Sequence, residues 1–187
     1  LPRMAEAIQA RLLPTRPQRW ELVVGAGSDR VFAVDEAGKA WELEPDGWHT
    51  TLEPVVQNFD GFKLRHRPGG FFQVCTPWAA KAFGQILEAW DLRGHTLFDL
   101  YGGVGLFSAL LGPRFQHRVL VEGDEAAVAW ARRNLEALEL PAQCHVSDVT
   151  AWVPEHLGTP EDLILLDPPR AGLDEALAQK LLTAETT

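Results

Sequence analysis

The chain has 187 residues, 46% hydrophobic and 23% charged, the composition of a folded globular protein with room for one domain and a smaller attached piece. Its formal net charge of −9 argues against binding nucleic acid through bulk electrostatics, and no apolar run is long enough to span a membrane. Two cysteines, Cys75 and Cys144, are too few for a disulfide framework or a four-cysteine metal or cluster site, and they fit a reducing, cytoplasmic setting.

Residues 4–13 show helical apolar spacing, which Pro14 and Pro17 end. Short runs of β character follow at Trp20–Val24, Arg30–Val34 and Lys39–Leu43, separated by turn residues. The stretch Val23-Val24-Gly25-Ala26-Gly27-Ser28 looks like the opening of a dinucleotide fingerprint. Arg30 stands where the third glycine belongs, however, and β runs rather than a helix follow, so it reads as a hairpin turn. Phe62–Arg67 and Phe71–Val74 add two extended runs around Pro68-Gly69-Gly70. Residues 1–74 therefore read as a small, mainly antiparallel β unit.

Charge is uneven along the chain. Residues 1–70 hold 9 Lys/Arg against 10 Asp/Glu, whereas residues 71–187 hold 8 against 16. Lys63, Arg65, His66 and Arg67 form a local basic cluster. Charge alone makes this a solvated strand edge, but any contact with nucleic acid is expected here rather than on the acidic half.

The texture changes at Thr76-Pro77. A helix is expected over Ala79–Trp90, with Thr76 as its cap and Pro77 at its first position. Strands at Thr96–Leu100, Arg118–Glu122, Ala142–Ser147 and Leu163–Asp167 then alternate with helical stretches at Gly105–Leu111 and Glu125–Leu138. This order, with short connections, predicts an α/β domain over residues 75–187 built on a doubly wound, mostly parallel sheet. Such sheets usually run beyond four strands, so this one is expected to be incomplete.

The strongest motif is Asp99-Leu100-Tyr101-Gly102-Gly103-Val104-Gly105-Leu106-Phe107-Ser108, where the first parallel strand hands over to a helix. Glycines there allow a tight turn and close approach of a ligand. A dinucleotide site wants a third glycine where Ser108 stands, and Asp99 would repel a pyrophosphate. An acid at that place suits a zwitterionic, sulfonium-bearing ligand such as S-adenosyl-L-methionine. Glu122 ends the second strand, where a carboxylate can accept from both ribose hydroxyls. Asp148 follows the third strand, where it can reach an adenine amino group or cap a helix. Asp167-Pro168-Pro169-Arg170 ends the fourth strand at the carboxyl edge, where ligands of open α/β sheets bind. No histidine spacing suggests a metal site.

Asp99–Ser108, Glu122, Asp167–Leu173 and the upstream Gly70-Phe71-Phe72-Gln73-Val74 together resemble the RNA (uracil-5-)-methyltransferase family. The resemblance covers residues 60–180 well and the first 60 loosely. Arg170 after Asp-Pro-Pro is the form seen in enzymes acting at a pyrimidine C5; amino-group methyltransferases place an aromatic residue there. The resemblance implies a class I, Rossmann-like methyltransferase sheet with S-adenosyl-L-methionine as cofactor and S-adenosyl-L-homocysteine as product. It implies cofactor contacts from Gln73, Tyr101, Leu106, Glu122, Asp148 and Asp167, beside Asp99, with Gly103 and Gly105 shaping the loop. Contacts to the target base are implied for Phe71, Gln73 and Arg170, with rRNA or tRNA as partner, no metal or membrane, and a monomer at full length. Leu106, Gly102 and Cys75 depart from the family's frequent Asn, Cys and Asn.

Uracil C5 is a poor nucleophile. A cysteine thiolate must first add to C6, the resulting enolate attacks the methyl group, and a base then removes the C5 proton as the thiolate leaves. In the family that cysteine follows the Asp-Pro-Pro-Arg strand by some tens of residues and the base lies further on. Both are therefore expected beyond Thr187, with no catalytic residue inside this chain and no transfer to uracil by the chain alone. The alternatives are a methyltransferase for cytosine C5 or another RNA position, and a non-catalytic module that binds S-adenosyl-L-methionine or RNA. A nicotinamide-dependent oxidoreductase is disfavoured by Asp99 and Ser108.

Overall fold

A computed structural model describes residues 19–59, 61–72, 76–152 and 162–183. The chain divides into two compact units between Pro77 and Trp78. The helix expected over residues 4–13 lies outside the described residues, as do Gln73, Val74 and Cys75. Among the described residues, no helix is long and apolar enough to cross a membrane.

In the first unit, β1 (Trp20–Val24), β2 (Val31–Asp35), β3 (Ala40–Glu44) and β4 (Gly47–Thr50) form an antiparallel meander in chain order. The dinucleotide-like stretch is the hairpin turn its sequence implied: Ser28 N donates to Gly25 O at 3.1 Å between β1 and β2. Gly25 is required there, because a Cβ at that position would lie 2.0 Å from the Val56 carbonyl oxygen. A separate hairpin pairs β5 (Val55–Asn58) with β6 (Lys63–His66). β4 and β5 were not expected from sequence. β4 is short and polar, and β5 points a glutamine inward where the alternation wants an apolar residue: Val55 and Gln57 are both buried.

Two further expectations are corrected in this unit. Phe71 and Phe72 belong to no strand; Phe72 stacks on His66, with ring centroids 4.7 Å apart, and Phe71 is 79% exposed. His66 is not part of the basic cluster. It is 1% exposed, accepts at Nε2 from Gln57 Nε2 at 3.0 Å, and donates from Nδ1 to Arg67 O at 2.9 Å. Burial pushes its pKa down, which keeps it neutral.

After α1 (Thr76–Trp90), which begins just before the boundary, the second unit carries β7 (Gly94–Leu100), α2 (Leu106–Leu111), β8 (Phe115–Glu122), α3 (Glu125–Ala137), β9 (Gln143–Val146), α4 (Val149–Trp152), β10 (Leu163–Leu166) and α5 (Glu175–Thr183). Among the described residues its strands form a four-stranded parallel sheet in the order β10-β7-β8-β9. The first strand is therefore interior and the order reverses between β7 and β10, which makes that gap the topological switch point of a doubly wound sheet. The fold expected from sequence, a parallel α/β sheet after an antiparallel β unit, is the one observed.

Strand periodicity explains both faces of this sheet. Phe98, Leu100, Val119 and Val121 pack with Val149, Trp152 and Leu177 on one face, joined by Ile164 and Leu166. Leu97 packs with Phe107, Leu111 and Phe115 on the other, joined by Phe83, Leu163 and Leu165. Asp99 follows Leu97 by two residues and so falls on the α2 face, the only carboxylate that β7 carries.

Candidate functional site

Registers place the carboxyl ends of all four strands at one edge: Leu100 lies beside Val121 and Leu166, and Glu122 beside Val146. The expected ligand residues of this unit follow those ends directly. The β7–α2 connection contains the glycine loop, and its backbone is unusual. Tyr101, Gly103 and Gly105 have φ of 64°, 53° and 89°, three left-handed residues within five positions. Glycine meets this at no cost; Tyr101 does not, and such strain concentrates at functional sites.

Each side of the loop is pinned. Below it, Asp99 is 0% exposed and its Oδ2 accepts from Ser108 N at 2.9 Å and from Ser108 Oγ at 2.6 Å. Asp99 Oδ1 is buried as well and has no hydrogen-bond partner among the described residues. Burial raises this carboxyl to about 6; the two Ser108 bonds pull the other way, and the charges of Asp167 and Glu122 add to the rise. At the side, Glu122 Oε2 accepts from Gly103 N at 3.1 Å and its Oε1 from Asp124 N at 2.8 Å. Behind the loop, Gly102 N donates to Val121 O at 3.1 Å, and a Cβ on Gly102 would lie 2.6 Å from Leu120 Cγ. From α3, Asn134 Nδ2 donates to Val104 O at 3.0 Å, while Leu135 and Ala131 pack against Gly105.

Asn134 was not singled out in the sequence, although a signal exists. It lies on the buried stripe Val128, Ala131, Asn134, Leu135 of α3, where a lone amide at 1% exposure must find a partner. Asp174 was also missed. It caps α5 through Leu177 N at 2.8 Å and accepts from Thr150 Oγ1 at 2.8 Å, so it ties the loop after β10 to the start of α4. Tyr101 lies in the same group. Its phenol is pushed up by burial first, then by the charges of Asp148 and Asp174.

The remaining expected residues take distinct places. Asp148 is exposed and caps α4, accepting from Ala151 N at 3.1 Å. Asp167 is half-buried just beyond β10, with its N–H directed to Leu100 O at 3.4 Å, and its charge is felt by Asp99. Arg170 is exposed on the turn that Gly172 closes onto Pro169 O at 2.8 Å. Leu106 buries its side chain, leaving only backbone to meet a ligand. Phe71 belongs to the first unit, and Gln73 is not among the described residues.

Geometry and donor set fit an adenosyl-type ligand. A Cβ on Gly103 would meet nothing within 4 Å, so the loop presents open space at its tip. Glu122 beside it uses one interaction on each carboxylate oxygen, and a carboxylate offers about four acceptor sites, enough for two hydroxyls as well.

The family described as methyltransferase small domain matches residues 62–186, two thirds of the chain. The chain belongs to that family. Methyltransferases of this kind draw their methyl group from S-adenosyl-L-methionine, the cofactor expected from the loop. The chain is 34% identical over 191 residues to an uncharacterized RNA methyltransferase of Bifidobacterium longum, a match that covers 94% of this chain and 42% of the relative. It is 28% identical over 142 residues to a 23S rRNA (uracil(747)-C(5))-methyltransferase of Vibrio vulnificus, covering 75% of this chain and 38% of that one. Among solved structures it is similar to the Pyrococcus abyssi tRNA (uracil-54, C5)-methyltransferase in complex with S-adenosyl-L-homocysteine. There the TM-score is 0.56 and the identity 28%, over 69% of this chain and 31% of that one. The chain spans less than half the length of these relatives.

Proposed function

We propose that this chain is the cofactor-binding part of an S-adenosyl-L-methionine-dependent methyltransferase that modifies C5 of uridine in rRNA or tRNA in the cytoplasm. The observation that carries the cofactor assignment is the Glu122–Gly103 bond beside the open tip of the glycine loop, at the carboxyl edge of the sheet. The cofactor supplies an electrophilic methyl group on a sulfonium. The protein holds it: Glu122 takes the ribose hydroxyls, Asp148 the adenine edge, and the loop from Tyr101 to Leu106 the methionine part, with Gln73 as a further contact. Asp99 acts from beneath the loop, holding Ser108 and adding negative potential under the sulfonium.

Uracil C5 as the target is favoured by Arg170, where amino-group enzymes need a stacking aromatic, and by the uracil-C5 enzymes among the relatives. Phe71, 79% exposed, and Arg170 are the chain's contributions to the target base. Cys144 is not the nucleophile. It sits half-buried on β9, and burial pushes its thiol up, the wrong direction for a reactive thiolate. The thiolate and the base are supplied by parts of the whole protein other than the described residues.

The test uses RNA carrying tritium at uridine C5, incubated with the full-length protein and S-adenosyl-L-methionine. C5 methylation must release the label to water in step with methyl incorporation. Methyl incorporation without release would move the target to another RNA position, the second reading.

A further inference from the structure

We propose that the hydrogen bond from Thr150 to Asp174 is a strap that couples the adenine side of the cofactor site to the turn carrying Arg170, with Asp174 as a positioning residue for that turn. This rests on Asp148 meeting the adenine and Arg170 the target base. Two segments leave the carboxyl edge of the sheet. After β9, Ser147-Asp148 leads into α4, and Asp148 holds the first turn of that helix by accepting from Ala151 N at 3.1 Å. Its carbonyl accepts from Trp152 N, also at 3.1 Å. After β10, residues Asp167 to Asp174 lead into α5 through irregular backbone. The near end is tied to β7 by Asp167 N and Leu100 O at 3.4 Å, and Gly172 N closes the turn onto Pro169 O at 2.8 Å. Arg170 stands exposed on that turn.

Asp174 fixes the far end, and its two carboxylate oxygens serve different elements. Oδ1 accepts from Leu177 N in α5 at 2.8 Å, and Oδ2 accepts from Thr150 Oγ1 in α4 at 2.8 Å. The carboxyl is held below its usual range, first by the Leu177 N–H and next by the Thr150 hydroxyl. At neutral pH both bonds therefore end on a charged acceptor, which makes them stronger than neutral ones. One side chain thus anchors the start of α5 and the first turn of α4 together.

Apolar packing makes this link stiff. Val149 and Trp152 of α4 share one core cluster with Leu177 of α5, and Tyr101 and Leu173 pack against it. Tyr101 opens the glycine loop, and Leu173 directly precedes Asp174. Packed side chains and hydrogen bonds between rigid elements are what carry energetic coupling from one site to another. Thr150 lies two residues after Asp148, and Asp174 four residues after Arg170. A ligand that steadies Asp148 steadies the first turn of α4, and the strap passes that restraint to the end of the Arg170 turn.

The experiment follows trypsin cleavage after Arg170 in the full-length protein by mass spectrometry, with and without saturating S-adenosyl-L-homocysteine. Thr150→Val removes the hydroxyl at nearly constant shape and leaves the Asp174 cap of α5 in place. Thr150→Ser keeps the hydroxyl, and calorimetry sets the saturating concentration for each protein. In the parent and in Thr150→Ser, the ligand should slow cleavage after Arg170 by about fivefold or more, the low end of coupling between sites. In Thr150→Val that protection should fall below about twofold. Equal protection in Thr150→Val and the parent would overturn the strap. Loss of ligand binding in Thr150→Val alone would also overturn it, by making the hydroxyl part of the cofactor site itself. A Thr150→Ser that loses protection as Thr150→Val does would trace the effect to packing and overturn the role of the hydrogen bond. Ligand binding by the parent with no change after Arg170 would overturn the coupling and leave the methyltransferase reading standing. Failure of the parent to bind the ligand would overturn the cofactor reading as well.

Discussion

Ser108 gives both its backbone N–H and its hydroxyl to a single oxygen of Asp99, Oδ2, and leaves Oδ1 buried without a partner among the described residues. The carboxyl is held at about 6 against an ordinary 3.8, chiefly by burial. A carboxyl whose pKa is raised on folding stabilises the fold fully below its unfolded value and loses that contribution as pH rises through its folded value. For Asp99 the loss runs from about pH 4 to somewhat above 6, and a rise from 3.8 to about 6 is worth about 3 kcal/mol. Asp99→Asn should therefore be less stable relative to wild type at pH 4 than at pH 7, with the difference changing by about that amount. Urea melts of both proteins at several pH values check this; a difference independent of pH contradicts the assignment.

Asn134→Ala removes the donor from the Val104 carbonyl and leaves that oxygen buried. The cost expected is about 1–3 kcal/mol of stability, together with weaker cofactor binding because the glycine loop loses its rear support. Urea midpoints and calorimetric titration measure the two effects. A loss of stability with unchanged cofactor affinity would make Asn134 a core residue only.

Two adjacent glycines should respond for different reasons. A Cβ on Gly102 meets Leu120 Cγ at 2.6 Å and Asp99 O at 3.0 Å, so Gly102→Ala should lower stability by about 1–3 kcal/mol through overpacking. A Cβ on Gly103 meets nothing within 4 Å and costs only what its left-handed φ of 53° demands, roughly 1–2 kcal/mol. Gly103→Ala should fold and yet lose most cofactor affinity, since the added methyl occupies the loop's open tip. Cofactor binding by Gly103→Ala equal to wild type would place the ligand elsewhere.

Much of this site was legible in the sequence because strand ends are punctuated by acids and breakers. Asp99, Glu122 and Asp167 each stand where an apolar run stops, and the glycines of the loop announce the turn. That Asp99 turns inward under α2 follows from its sharing a face with Leu97 rather than Phe98, a two-residue periodicity present in the strand but indecisive until α2 is known to cover that face. The supports from outside the motifs were not legible. Asn134 is a polar residue in an ordinary helix, and its importance depends on a partner thirty positions away. Likewise Gln57 and His66 form a buried polar pair between β5, which was not expected from sequence, and β6, where the histidine reads as part of a basic cluster.

Glu122→Ala and Asp167→Ala should each weaken cofactor binding by an order of magnitude or more, since each leaves polar ligand atoms unpaired. The Glu122 change should also free Gly103 N and loosen the loop. Unchanged affinity in both would contradict the placing of the ligand at the carboxyl edge.

Calorimetric titration of the chain with S-adenosyl-L-homocysteine, with NAD as control, tests the central assignment most directly. Micromolar binding of S-adenosyl-L-homocysteine alone, abolished in Gly103→Ala, is the predicted result. Binding of NAD with none of S-adenosyl-L-homocysteine would contradict it.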